Sequence, residues 1–499
     1  MSLAIVHTRA QVGVTAPQVT VETHLSNGLP SFTIVGLPEA AVKESKDRVR
    51  SAIINSHFEF PAKRITVNLA PADLPKDGGR FDLAIALGIL AASEQIPKEA
   101  LENVEFLGEL ALSGDIRGIT GAIPAALASA TNQRAIIIPE ACAYEASLCQ
   151  QATIYLANNL LSVCAHLHDR HQLIKPTPVA ADTVYYKADF ADVKGQAHAK
   201  RACEIAASGG HNLLMFGAPG TGKSMLASRM PSIMPPLNDD EAIQVAAVQS
   251  VTSASNKCAW RQRPYRNPHH TTSAVALVGG GARPRPGEIS LAHNGILFLD
   301  ELPEFPRHAL EVLREPLESG HISISRANAQ VEYPANFQLV AAMNPCPCGY
   351  FGDANRRCQC SPLQVQRYRN KISGPLLDRI DLHVRVSNIP IEQLQNAPTG
   401  ETSFSVSQRV VSCHNLQVAR QQCNNASLSG LELHTVCALG DQEKHILATA
   451  MERLQLSARA YDRILRVART IADMECSEKV TTVHLSEALS YRQLDRAVT

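Results

Sequence analysis

Residues Gly217–Ser224 read Gly-Ala-Pro-Gly-Thr-Gly-Lys-Ser and meet every fixed position of the pattern G-x-x-x-x-G-K-[ST]. Just before them, Asn212-Leu-Leu-Met-Phe216 is an apolar run that reads as a buried strand. A strand, a glycine-rich turn and a helix start in that order leave few folds open, because they cradle a phosphate where the strand ends. Gly217, Gly220 and Gly222 let successive backbone N–H groups, that of Thr221 among them, converge on phosphate oxygens. Lys223 places a cation beside the β- and γ-phosphates, and the Ser224 hydroxyl reaches Mg2+. The spacing predicts bound ATP with Mg2+.

A second apolar strand, Gly295-Ile-Leu-Phe-Leu299, runs straight into Asp300 and Glu301. Asp300 is expected to hold Mg2+ through its water shell, and Glu301 to orient or deprotonate the attacking water. That pairing points to hydrolysis rather than binding alone. A third strand, Phe337–Met343, ends in Asn344, whose side chain would hold the same water from the opposite side. Taken alone, Asn344 is only a turn residue before Pro345.

The chain has 499 residues, room for about three domains. Its 47 Lys and Arg balance its 47 Asp and Glu, so net charge announces neither a nucleic acid nor a membrane. No apolar stretch reaches the roughly 18 residues of a spanning helix, and Met1–Arg9 lacks a signal-peptide core, so a cytoplasmic location away from membranes is expected. Residues 1–172 mix β-like runs such as Ser31–Val35, Arg64–Asn68 and Ala135–Ile138 with helical ones such as Ala40–Asn55 and Phe81–Ala92. They read as an α/β domain without a phosphate loop. Residues 173–190 turn to Pro, Thr and small residues and read as a linker. Residues 191–395 carry the three chemical strands in the order of an open sheet with helices on both faces. Residues 396–499, with apolar spacing at Ile464, Val467, Ala468 and Ile471, read as a helical domain.

Thirteen scattered cysteines suit reduced thiols better than a disulfide framework. Cys346, Cys348, Cys358 and Cys360 stand out as C-x-C-x9-C-x-C. Four thiolates closing a loop suit a structural Zn2+; an iron–sulfur cluster and free or redox-active thiols are the other readings. Charge is also segregated. Between Glu241 and Glu288 there is no acid, while Lys257, Arg261, Arg263, Arg266, Arg283 and Arg285 are present. Between Asp353 and Asp378 the same holds, with Arg356, Arg357, Arg367, Arg369 and Lys371. Such stretches read as a track for DNA, or as solvated loops balanced by acids from elsewhere. His269 and His270, adjacent on extended backbone, would face opposite ways and suit polymer contact or loop packing rather than one metal ion.

Asp192-Val-Lys-Gly195-Gln196, the phosphate loop, the acidic strand and Asn344 together resemble the AAA+ ATPases. The resemblance implies an α/β P-loop core with a C-terminal helical lid, and adds Gly195 and Gln196 to the nucleotide pocket. Leu376-Leu-Asp-Arg379-Ile-Asp-Leu382 and Leu456-Ser-Ala-Arg459-Ala-Tyr461 resemble the arginine-finger and second-sensor elements of the branch that holds magnesium chelatase motor subunits and minichromosome-maintenance helicases. Pro268–Ser273, Val67–Asp73 and Cys346–Tyr350 are similar to the ComM/YifB family of magnesium chelatase-like competence proteins, and the likeness runs along the whole chain. It implies a hexameric ring in which Arg379 reaches a neighbour's nucleotide and Arg459 reads the nucleotide of its own subunit. A hairpin over Ile322–Val331, which lines the pore in the helicase relatives, would bring Arg326 and Asn328 to DNA beside Arg266, His269, His270, Arg356 and Arg357. The implied activity is ATP-driven branch migration that integrates incoming DNA during natural transformation; a chelatase-type motor remodelling a partner protein is the alternative. The N-terminal domain resembles the Lon protease domain without its Ser-Lys dyad. Arg80 stands near the nucleophile position and Thr120–Ala126 contains no lysine, so no peptidase activity is expected.

Overall fold

Half-buried alternation along Leu3–Arg9, Gln18–Ser26 and Arg64–Ala70 turns one face of each strand toward a core and the other toward water. The computed structural model, which describes residues 3–36, 40–178, 186–252, 259–281, 284–326, 329–353, 356–389, 400–454 and 456–492, gathers these strands into one sheet. Its seven strands run in the order Ser31–Val35, Arg64–Ala70, Gln18–Ser26, Leu3–Arg9, Val104–Phe106, Ala135–Pro139 and Ile154–Ala157. The helix Asp82–Ala92 crosses the inner face; all of its residues are buried, which explains its lack of a polar stripe. Arg80, just before it, is also buried and donates to Thr120 O at 2.9 Å.

The expected linker is shorter than its composition suggested. Ile174 still bridges to Leu156 at the sheet edge, and the turn Phe190–Asp192, capped by Asp189, already belongs to the next unit. Residues 179–185 lie outside the described residues.

The second sheet has five strands in the order Tyr265–Arg266, Ile296–Leu299, Gln338–Met343, Leu213–Phe216 and Leu382–Arg385, all parallel. Every residue of the three central strands is buried, as expected when both faces are covered. Alternate side chains divide between two cores. Leu213, Met215, Ile296, Phe298, Val340 and Ala342 face the helices Ala197–Gly209 and Ala458–Met474. Leu214, Phe216, Leu297, Leu299, Leu339 and Ala341 face the segment 302–337.

The predicted hairpin is present as His321–Arg326 paired antiparallel with Ala329–Pro334. Ile322, Ile324, Val331 and Tyr333 point inward, and Val12 and Val14 of the first domain pack against that core. A second junction forms where Gly121 N donates to Ser250 O at 2.8 Å. The C-terminal part is helical, with Ser403–Gln421, Gly430–Val436, Asp441–Leu454, Ala458–Met474 and Thr482–Ser490. Ile464, Val467, Ala468 and Ile471 are buried on one face of the fourth of these. Among the described residues no helix is long and apolar enough to cross a membrane.

Candidate functional site

The phosphate loop leaves the C-terminal end of Leu213–Phe216, in the crevice where an open α/β sheet binds ligands. Gly217 is pinched there: a Cβ would lie 2.1 Å from Val386 O, so any side chain would push the edge strand away. Gly220 and Gly222 turn the backbone at φ 80° and 92° into the helix Lys223–Arg229. Lys223 is buried, and its Nζ donates to Gly217 O at 2.8 Å and Ala218 O at 2.9 Å, with Asn344 Oδ1 at 3.4 Å. Burial lowers its pKa against the pull of Asp300 and Glu301. The carbonyls hold the ammonium where phosphate oxygens would replace them. Thr221 Oγ1 closes the turn on Ala218 O at 2.9 Å. Ser224 Oγ donates to Asp300 Oδ2 at 2.6 Å, so the two expected Mg2+ partners already meet.

These groups, with Glu301, Met343 and Asn344, line a cavity of about 350 Å3. Gln196 Nε2 bonds Thr221 O at 3.2 Å and Ser387 O at 2.7 Å, tying the segment before the first helix to the loop. Gly195 beside it approaches Ile389. Glu301 sits in left-handed backbone at φ 54°, and its N–H donates to Asp300 Oδ1 at 2.9 Å. An acid held in sparsely populated backbone at the end of a strand marks a functional position.

His270 belongs to this site. Its Nδ1 is 3.2 Å from Glu301 Oε2, and the His269 ring lies 4.1 Å from its own. The expectation that the two rings face opposite ways fails because residues 269–272 turn, with Thr272 N donating to His269 O at 2.9 Å. His270 therefore stands beside Glu301 at the rim of the ATP cavity, with His269 against it. Arg266 has an acidic partner within the chain. It makes a bidentate pair with Glu288 at 2.6 and 2.8 Å, the acid that closes the first acid-free stretch. In the same stretch Arg261 pairs with Asp239, and Arg263 is buried on Pro235 O and Asn294 O. Among the described residues those three cations are spent internally. Arg326 closes the first strand of the hairpin, and Asn328 lies outside the described residues.

Arg379 and Arg459 do not line the cavity. Arg379 O accepts from Asn212 Nδ2 at 2.9 Å, and Asp381 Oδ2 accepts from Asn212 N at 3.0 Å, so both stand where the phosphate-loop strand begins. The loop opens at its other end, roughly 16 Å away at about 3.3 Å per residue. Arg379 is buried, donating to Pro375 O and to Glu318; burial lowers its pKa against the pull of Glu318, with Arg314, Arg459 and Arg463 nearby. Arg463, one turn after Arg459 on the helix Ala458–Met474, bonds Asp381 Oδ1 at 2.6 Å. The exposed Arg459 stands near Arg379 at the far end of the sheet, away from its own chain's cavity.

The four cysteines converge. Their sulfur atoms all lie within 4.8 Å of one another, with Cys346–Cys348 at 3.3 Å, Cys348–Cys358 at 3.6 Å and Cys346–Cys358 at 3.7 Å. Four sulfurs about 2.3 Å from one tetrahedral Zn2+ stand about 3.8 Å apart, so the cluster fits that ion. Backbone N–H groups of Tyr350 and Gln359 pull the Cys348 pKa down, while burial and the adjoining Cys348 and Cys346 thiols push that of Cys358 up. Arg356 stacks on Tyr350 and donates to its hydroxyl at 2.7 Å; Arg357 and Arg367 are exposed. Lys371 pairs with Glu304, and Arg369 covers Phe351. The second acid-free stretch thus keeps Arg356, Arg357 and Arg367 at the surface; in the first, Arg285 is exposed, and Lys257 and Arg283 lie outside the described residues.

The profile "Magnesium chelatase, subunit ChlI" matches residues 189–394, "Subunit ChlI of Mg-chelatase" matches 21–142 and "Magnesium chelatase, subunit ChlI C-terminal" matches 400–492. The uncharacterized protein YifB of Salmonella typhimurium is 53% identical over 499 residues, 99% of this chain and 98% of that one. Competence protein ComM of Haemophilus influenzae is 52% identical over 503 residues, with the same 99% and 98% coverage. At greater distance, DNA replication licensing factor Mcm6 of Anopheles gambiae is 22% identical over 230 residues, 42% of this chain and 26% of that one.

Proposed function

Because the chain belongs to the ComM/YifB family of magnesium chelatase-like AAA+ ATPases, we propose that it is a ring-forming DNA motor whose ATP sites are completed between neighbouring copies. The observation that supports this most is the placement of Arg379 and Arg459 at the opposite end of the sheet from their own phosphate loop. In a head-to-tail ring, that end of one copy meets the ATP cavity of the next, and both arginines reach a neighbour's γ-phosphate. Within one chain Lys223 exchanges its carbonyl partners for phosphate oxygens, and Ser224 and Asp300 turn to Mg2+. Glu301 takes a proton from water held against Asn344. Closing the site across a boundary makes hydrolysis depend on assembly and lets it move one copy against the next.

The name of the Haemophilus relative supports placing this work in competence, as branch migration by a hexamer that integrates incoming DNA. Arg356, Arg357 and Arg367 around a zinc-bound Cys346–Cys360 knuckle are the DNA-facing cations in this reading, with the hairpin tip at Arg326. The test is the ATPase rate with single-stranded, duplex and branched DNA: branched DNA should stimulate most. Replacing Arg356 and Arg357 by Ala should flatten the salt dependence of DNA binding by about 0.9 in log–log slope per lost duplex phosphate contact. ATPase indifferent to every DNA, or an unchanged slope, contradicts the proposal.

A further inference from the structure

The cysteine knuckle meets the phosphate loop directly at one point and through neighbouring residues at two more. Cys346 follows Asn344 by two residues, and Asn344 Oδ1 is 3.4 Å from Lys223 Nζ. At the knuckle's tip, Gly349 lies against the phosphate loop itself: a Cβ there would meet Pro219 Cδ at 2.7 Å, and φ is 85°. Beyond it, Gly352 O accepts from the Arg385 guanidinium, and Asp353 Oδ2 accepts from Asn388 Nδ2 at 2.7 Å. Arg385 and Asn388 flank Val386, whose carbonyl pinches Gly217. The first half of the phosphate loop, Gly217 to Pro219, is therefore gripped from both sides by parts that lean on the knuckle. A cavity of about 420 Å3 separates them, with Gly217 and Ala218 on one wall and Phe351 and Arg369 on the other. The knuckle has little core of its own: in 345–361 the buried described residues are Pro345, Cys346 and Gly349. Such a segment takes its shape from what its four sulfurs bind.

We propose that the four-cysteine knuckle is a clamp on the phosphate loop, so that its metal loading sets the affinity for ATP. The proposal rests on the zinc reading above and adds to it a role at the nucleotide site. Phosphate binding needs the N–H groups of Gly217–Ser224 held in one concave arrangement, and a knuckle without metal leaves that arrangement free on the Pro219 side. Gly349 and Arg385 act here as positioning residues.

Native mass spectrometry of the full chain gives its metal content, and titration with a fluorescent ATP analogue in excess Mg2+ gives its affinity. The samples are wild type, wild type treated with a zinc-selective chelator, the same sample after Zn2+ is restored, Gly349→Ala and Arg385→Gln. Wild type should carry one metal ion; stripping it should weaken binding about tenfold, and Zn2+ should restore it. Gly349→Ala and Arg385→Gln should keep the ion and still bind the analogue several-fold more weakly, with far-UV circular dichroism unchanged. Arg385→Gln leaves every backbone angle and cysteine alone, so it reports even where Gly349→Ala misfolds. Wild type free of metal overturns the zinc reading on which the clamp depends. Metal released, or either variant folded and loaded, with affinity unchanged overturns the clamp while leaving the zinc reading standing.

Discussion

Replacing Asp381 by Asn tests how the arginine end of the sheet is held together. Asp381 is buried, with Arg463 at 2.6 Å on Oδ1, the Asn212 N–H at 3.0 Å on Oδ2 and His211 Nδ1 3.7 Å away. Burial by itself would raise its pKa, but Arg463, His211 and the Asn212 N–H outweigh it and hold the carboxyl well below the usual carboxylate range. Asn keeps the shape and an acceptor for Asn212 while leaving Arg463, only 16% exposed, without its counter-charge. Breaking a buried pair from one side costs about 3–5 kcal/mol. At roughly 2–4 °C per kcal/mol for a unit of about 200 residues, the melting temperature should fall by roughly 10 °C. Adding Arg463→Met should recover much of the loss, because no stranded charge remains. Calorimetry on the wild type, both single variants and the double variant measures the coupling. The pH dependence has a definite sign. A carboxylate with a depressed native pKa contributes fully above its unfolded value of about 3.9, and its contribution is lost as pH falls below that value. The gap between wild type and Asp381→Asn should therefore be full at pH 7 and close only in acid below about pH 4. A single variant within about 1 kcal/mol of wild type at pH 7, or strictly additive losses in the double variant, refutes the junction.

Glu301→Gln should bind ATP normally and hydrolyse it about 10²–10⁴-fold more slowly in a steady-state phosphate-release assay, and normal turnover would place the general base elsewhere. His270→Ala removes a partly exposed contact at 3.2 Å, of a kind worth about 0–1 kcal/mol. ATPase without DNA should rise by up to about fivefold while the DNA-stimulated rate stays level; unchanged basal turnover would mean that His270 does not restrain Glu301. Gly217→Ala should abolish binding of the fluorescent nucleotide with the protein still folded, since its Cβ would meet Val386 O at 2.1 Å.

What the sequence made legible was local. The phosphate loop, the two acids after Leu299 and Asn344 are each bounded by a short apolar run and a turn residue, so spacing alone located them, and the sheet brought them to one cavity. The four cysteines were likewise visible because they lie within fifteen residues. The junction around Asp381 was not: Arg463 is 82 positions away and Asn212 is 169 away, and nothing near Asp381 signals that it will be buried. The place of Arg459 was hidden for the same reason, because contacts as distant in sequence as Arg463–Asp381 and Thr470–His211 fix which end of the sheet its helix meets. Charge counting misled at Arg266, since the acid-free stretch ends at Glu288, the residue that neutralises it. His270 escaped as a partner of Glu301 because adjacent histidines were read on extended backbone, and the turn at Thr272 brings their rings together.

The central claim, that each ATP site is shared between two copies, is tested most directly by mixing two inactive variants. Lys223→Ala removes the phosphate-binding cation, and Arg379→Ala removes the proposed reach to a neighbour, so each alone should be nearly inactive. Mixed at varied ratios with ATP and DNA, they should regain ATPase with a maximum near equal amounts, because intact Lys223 and intact Arg379 then meet at some boundaries. Full activity of Arg379→Ala alone, or no recovery at any ratio in rings shown to be mixed, would contradict the account.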